Sequence, residues 1–240
     1  MEQISGSIIN RGIAFGKVYI LRDNPLRPNR TAKQINQMAV LKAALSNSSE
    51  QLDQLARITH YEMSEGISII FEAHKLMISD PLILERATTL INKGLSAYDA
   101  YHQAANEVID TFSKLDNDYM KNRIIDIEDA AERVLSSIEN VQYEIELHFP
   151  TPRLLILDKM KPSVLINCNR DSISGIISAS GSYNQHSGTI VRMKEIPTLV
   201  IRNIMEQIQE NDRGLIDGDQ GLFYRNPTLD FVNELLKERR

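Results

Sequence analysis

The stretch "SGSYNQHSGTIVRMKEIPTLV", residues 180–200, sets one histidine, His186, among small and polar residues. An apolar run precedes it and a segment with helical spacing follows. That pattern predicts strand, loop and helix, with His186 at the helix N-terminus. The first backbone N–H groups of a helix have no partner within it, and the macrodipole there favours an anion by about 0.3–1 kcal/mol when exposed and about 2 when partly buried. Ser187, Gly188 and Thr189 are small or hydroxylated where a phosphate would approach. A neutral imidazole so placed can attack phosphorus and carry it. An ordinary turn that happens to contain histidine fits the same residues, so local chemistry leaves both readings open.

The elements that must position this segment fall into three stretches. Residues 4–21 are rich in Gly and β-branched residues and predict two short strands around a loop at Asn10 and Gly12. "RDNPLRPNR" follows, where Pro25 and Pro28 block helix or central strand. From Thr31, a candidate N-cap, the pattern is helical: Ile35, Met38, Leu41 and Leu45 recur at three- and four-residue spacing. A further helix is expected over 68–78. Asp80 caps a restart at Pro81, Ser96 caps the segment after Gly94, and a last helix runs from about Asn117. Strand signals return at 154–157, 164–167 and 175–178, then at "TLVI" and in a hairpin "GLIDGDQGLFYRNPT". The expected fold is α/β, interrupted by an all-helical, four-helix insertion. Residues 1–25 and 145–228 form the α/β domain, 31–143 the insertion, and 229–240 a terminal linker helix.

Composition narrows the function. The 240 residues are 42% hydrophobic and 25% charged, with net charge −5, which argues against general nucleic-acid binding. The one cysteine, Cys168, excludes an internal disulfide and fits a reducing compartment. Neither a charged-then-apolar leader nor an apolar run of about 18 residues is seen, so a cytoplasmic setting without membrane insertion is expected. The histidines are dispersed and suggest no metal site. His60, His102 and His148 carry no motif, Cys168 reads as a small buried residue, and "GDQG" reads as a hairpin turn.

Several segments in order carry a resemblance: "SGSIINRGIAFGKVYIL", "IFEAHKLMISDPLILE", "DNDYMKNRIIDIEDAAERVL", "HSGTIVRMKEIPTLV" and "DGDQGLFYRNPT". Together they resemble the N-terminal phosphohistidine domain of Enzyme I of the bacterial phosphoenolpyruvate-dependent phosphotransferase system, over essentially the whole chain. The resemblance implies a swivelling α/β domain that carries phosphate on His186 and a helical insertion that docks the small carrier HPr. It implies that phosphoenolpyruvate and Mg²⁺ belong to a separate C-terminal domain, so this chain needs no cofactor and cannot use phosphoenolpyruvate alone. A monomer is expected, since dimerisation in the family belongs to that other domain.

The same resemblance assigns site residues. Arg192 matches the family's arginine in the helix after the active histidine, where it could steady phosphate or pair with Glu195. Glu65, Glu72, His74, Met77, Asp80, Leu82 and Arg123 are candidates for an apolar docking face with an acidic rim, suited to the basic surroundings of the HPr histidine. His74 could equally be an interior histidine. Asp126, Glu128 and Asp129 read as a solvated face with an ion pair to Arg133. The chain departs from the family at Asn184 and Gln185, which stand for Thr-Ser. It departs also at Leu165 and Ile67, which stand where a threonine and a lysine usually help the imidazole and its phosphate. These departures support an alternative: a docking or regulatory module without efficient transfer.

Overall fold

The computed structural model describes residues 1–22, 36–141, 147–180 and 185–238. The expected breakers Pro25 and Pro28, the proposed cap Thr31, and Asn184 lie outside the described residues. The chain divides into two units, Met1–Asp23 with Ile145–Arg240, and Asn24–Glu144.

In chain order the elements are β1 (Glu2–Ser5), β2 (Ser7–Asn10), β3 (Ile13–Leu21), α1 (Gln37–Glu62), α2 (Glu65–Ile78), α3 (Pro81–Asn92), α4 (Ala97–Lys114), α5 (Asp118–Ile138), β4 (Arg153–Leu157), α6 (Pro162–Ile166), β5 (Ile173–Ser178), α7 (Gln185–Met193), β6 (Thr198–Val200), α8 (Ile204–Gln207), β7 (Arg213–Asp217), β8 (Leu222–Arg225) and α9 (Leu229–Glu238). Among its described residues the insertion holds five helices, α1–α5, one for each helical segment read along the sequence, so the expected count of four is corrected. Residues 164–166, expected as strand, are the helix α6. Pro162 opens it at N1, and three apolar residues are too few for periodicity to separate strand from helix.

The α/β unit is one eight-stranded sheet in the order β1-β8-β7-β3-β4-β5-β6-β2. β3, β4, β5 and β6 run parallel, and the remaining pairings are antiparallel. The outermost strands, β1 and β2, are consecutive and joined through Gly6 alone, so the sheet closes on itself. A Cβ at Gly6 would stand 2.5 Å from Ile201 Cγ1 and 2.7 Å from the Val200 carbonyl oxygen. Closure needs a residue without a side chain there. Alternate residues of the strands point inward: Ala14, Val18, Ile20, Leu154, Ile156, Ile177, Leu199, Ile216 and Phe223 form a single core cluster. On another face Leu215 and Tyr224 pack against Val232 of α9, so the helix expected as a linker packs on this unit.

In the helical unit, α5 packs against α1, α2 and α4. The caps follow the sequence signals. Asp80 accepts from Leu82 N–H at 2.8 Å with Pro81 at N1, and Ser96 accepts from Asp99 N–H while donating to its carboxylate at 2.7 Å. The cap of α1 is Asn36, whose side chain accepts from Ala39 N–H.

Candidate functional site

Strand β5 ends at Ser178, and the chain re-enters a helix, α7, at Gln185, so His186 lies in the first turn, as the residue pattern predicts. The approach is tied down from β4: Ala179 N–H donates to Leu157 O, Ser180 N–H to Asp158 O, and Ser178 Oγ to Asp158 O at 2.9 Å. Helix α7 is pinned at both ends. At its start the Ser187 hydroxyl donates to the Met160 carbonyl. At its end the Lys194 ammonium donates to Ile166 O at 2.8 Å and Cys168 O at 2.6 Å, closing the open carbonyls of α6.

His186 is half-buried, and its Nδ1 is enclosed. No acidic residue stands in the first turn of α7, which keeps the positive end of the helix dipole uncancelled there. Ser187 is buried with its hydroxyl committed to Met160, so its side chain positions the helix rather than facing an anion. Arg192 folds back along α7: its guanidinium reaches Thr189 Oγ1 at 3.4 Å and lies over Gly188, where a Cβ would meet Nη1 at 3.0 Å. Gly188 is thus the floor on which the arginine rests. The considered Arg192–Glu195 pair is not formed. Glu195 has φ of 53°, in the left-handed turn that ends α7, and its carboxylate pairs with Arg170 at 3.2 Å. His186, Ser187, Gly188, Thr189 and Arg192 are therefore brought together on one short helix.

Two of the departures from the family pattern are structural core. Leu165 on α6 and Ile67 on α2 are both fully buried. Cys168 is buried too, and that burial pushes its thiol up to about 12, opposed by Lys194.

The docking candidates divide. Glu65 and Glu72 on α2 and Leu82 on α3 are exposed, Leu82 at 68%. Met77, Asp80 and Arg123 are half-buried, Asp80 as the α3 cap. His74 is only 1% exposed, which corrects its placement on a docking face: its ring packs edge-on to Phe71, with Nε2 3.6 Å from Asp126 Oδ1. Asp126 also faces Arg123 at 3.5 Å. The solvated acidic face expected on α5 is likewise corrected. Asp126 and Asp129 are 1% exposed, Arg133 is buried, and Arg133 donates to Gln51 at 3.0 Å. Charges are tolerated there because polar partners from the same bundle meet them.

Two residues were missed, Ile69 and Leu76, exposed at 53% and 74%. With Glu65 and Glu72 they make an i, i+4, i+7, i+11 stripe on the outer face of α2, alternating acid and apolar. That spacing was legible, since a second apolar stripe on one helix cannot share the core face. Among the described residues no group of three or more His, Cys, Asp or Glu is placed to hold a metal, and no helix is long and apolar enough to cross a membrane.

Residues 5–123 match the model of the PEP-utilising enzyme N-terminal domain and residues 149–221 that of the PEP-utilising enzyme mobile domain. The chain belongs to the PEP-utilising enzymes. It is similar to the phosphoenolpyruvate-protein phosphotransferases of Priestia megaterium, at 29% identity, and Staphylococcus carnosus, at 27%, each over 99% of the chain. The chain spans 42% of the length of each of these relatives. An NMR solution structure of Enzyme I shares its fold with a TM-score of 0.70 at 22% identity, covering 98% of this chain and 97% of that one. The N-terminal domain of Enzyme 1 – Nitrogen shares it at 0.59 and 18% identity, covering 98% of both.

Proposed function

We propose that this chain is the carrier-facing part of a phosphoenolpyruvate-protein phosphotransferase, holding a phosphoryl group on His186 and exchanging it with HPr. The observation that carries the reading is the position of His186 in the first turn of a doubly pinned helix, with Arg192 folded back over Gly188 on the same helix. With Nδ1 enclosed, Nε2 is the attacking nitrogen. Its lone pair forms the new bond to phosphorus, the bond from phosphorus to the donor imidazole breaks, and that ring keeps the electron pair. Nδ1 of His186 retains the ring proton. The helix dipole and the Arg192 charge lower the energy of the phosphoryl oxygens.

The outer face of α2 is the surface we assign to HPr. Glu65 and Glu72 steer a basic partner, and Ile69, Leu76 and Leu82 supply apolar contact. Uptake of phosphate from phosphoenolpyruvate, and the Mg²⁺ it needs, belong on this reading to a C-terminal domain of the kind the longer relatives have room for. A cytoplasmic location and a monomeric state for this portion complete the proposal.

The test is transfer from phosphorylated HPr, read by intact mass at neutral pH. One added phosphoryl group on the parent and none on His186→Ala is the expected result. The alternative, a docking module without efficient transfer, draws on Leu165 and Ile67, apolar and fully buried where polar helpers would stand. HPr binding with no phosphorylation of the parent would select it and overturn the first reading.

A further inference from the structure

The α/β unit holds a second concave feature at the other end of its parallel strands. His186 follows the carboxyl end of β5, whereas an open cleft of about 520 Å³ lies at the amino ends of β4 and β5, beside the first half of β3. Its walls include Phe15, Lys17, Pro152, Arg153, Arg170 and Ser174. Three of these are cations, and no carboxylate is among the described lining residues, on a chain whose net charge is −5. The volume is in the range of small-molecule sites, about 300–1,000 Å³.

The strand register concentrates the charge further. Lys17 on β3 stands directly opposite Arg153 on β4 and opposite Arg213 on β7, so three cations form one row across three strands. Like charges directly opposite one another destabilise a sheet. Among the described residues no carboxylate lies within ion-pair distance of Lys17, Arg153 or Arg213. Arg153 is nonetheless held in place: it donates to Asn211 Oδ1 at 2.7 Å and its guanidinium stands 5.6 Å from the centre of the Phe149 ring. Among the described residues Arg170 pairs with Glu195, and both are largely exposed, so an incoming anion displaces that carboxylate at little cost. A row of cations beside a cleft, one of them held in place and none paired with a carboxylate among the described residues, is an arrangement that a bound anion would neutralise.

We propose that this cleft binds a small polyanion, bearing phosphate or carboxylate groups, at a site separate from that of His186. Lys17 and Arg153 take its charged end, and Arg170 swings from Glu195 to close on it.

The probes are inorganic pyrophosphate and citrate, titrated against the chain by calorimetry and by melting temperature. Either probe should bind at sub-millimolar to millimolar concentration and raise the melting temperature, and the tighter of the two identifies a phosphate or a carboxylate ligand. Lys17→Glu and Arg170→Glu should each weaken binding at least tenfold, while phosphoryl acceptance from phosphorylated HPr stays as in the parent. Lys17→Gln should raise the melting temperature of the unliganded chain, by relieving the row, and abolish the further rise with pyrophosphate. Absence of binding by both probes at millimolar concentration would refute the site. So would binding that Lys17→Glu and Arg170→Glu leave unchanged, or that His186→Ala alone abolishes.

Discussion

Gly6→Ala and Gly66→Ala add the same methyl group and should move stability in opposite directions. At Gly6 the new Cβ would lie 2.5 Å from Ile201 Cγ1 and 2.7 Å from the Val200 carbonyl, against an ordinary contact of at least 3.4 Å. The Ile201 side chain is buried and the carbonyl is backbone in a paired strand, so neither yields cheaply. The chain at Gly6 must move by roughly 1 Å, which strains the Gly6 N–H bond to Gly221 O at 2.8 Å and the pairing of β2 with β6. Overpacking of this kind costs about 1–3 kcal/mol. At Gly66, in the exposed first turn of α2, the nearest atom to a Cβ is Ser64 Oγ at 3.8 Å. Nothing clashes, and Gly→Ala in a helix stabilises by about 0.5 kcal/mol through the unfolded chain. Hydrogen exchange in graded urea, read on peptides covering β2 and β6 and separately on α2, assigns each change to its unit. Loss confined to the α/β peptides in the first variant, with slight gain in α2 in the second, is the expected pair. A Gly6→Ala variant within about 0.3 kcal/mol of the parent would refute the claim that closure forbids a side chain there.

Asp126→Ala should destabilise the helical unit by about 3 kcal/mol, because His74 and Arg123 lose the buried carboxylate they share; thermal unfolding followed by helix signal tests it. Asp80→Ala removes the acceptor for Leu82 N–H and should cost about 1 kcal/mol in urea unfolding, with Asp80→Asn recovering most of it. Because burial pushes the Cys168 thiol up to about 12, the folded chain should resist alkylation at pH 8 and react only at urea concentrations that open the α/β unit. Alkylation of the native chain at the rate of a free thiol would contradict that burial.

What could be read from sequence was local. Asp80 before Pro81 and Ser96 ahead of Asp99 are capping patterns whose chemistry is complete within four residues, and both formed. His186 was placed at a helix start for the same reason: an apolar strand, small residues and a helical spacing sit side by side in the chain. The segment 164–166 was misread because its partner, α7, is what decides it, and an apolar run hid the helix start at Pro162. Asp126, Asp129 and Arg133 look like surface charges in sequence. Their burial depends on His74, Arg123 and Gln51 arriving from other turns of the bundle. Arg170 capturing Glu195 from Arg192 is a choice between partners that no spacing reveals.

The sheet closure also has a consequence for how the chain is made. Ser7 and Ile8 leave the ribosome long before their partners, Val200 and Leu199. Glu2 likewise waits for Arg225. The helices between are contiguous and contact one another, so that unit has all its partners long before the sheet has its last strands. Synthesis should therefore release a folded helical unit trailing an open-edged, unfinished sheet, whose exposed strand edges are where a holding chaperone would be needed. Stalled chains in which α5 has cleared the ribosome but β5 has not should then show protease protection in α1–α5 and none in β1–β3. Protection of both at that length would mean the sheet forms by another order.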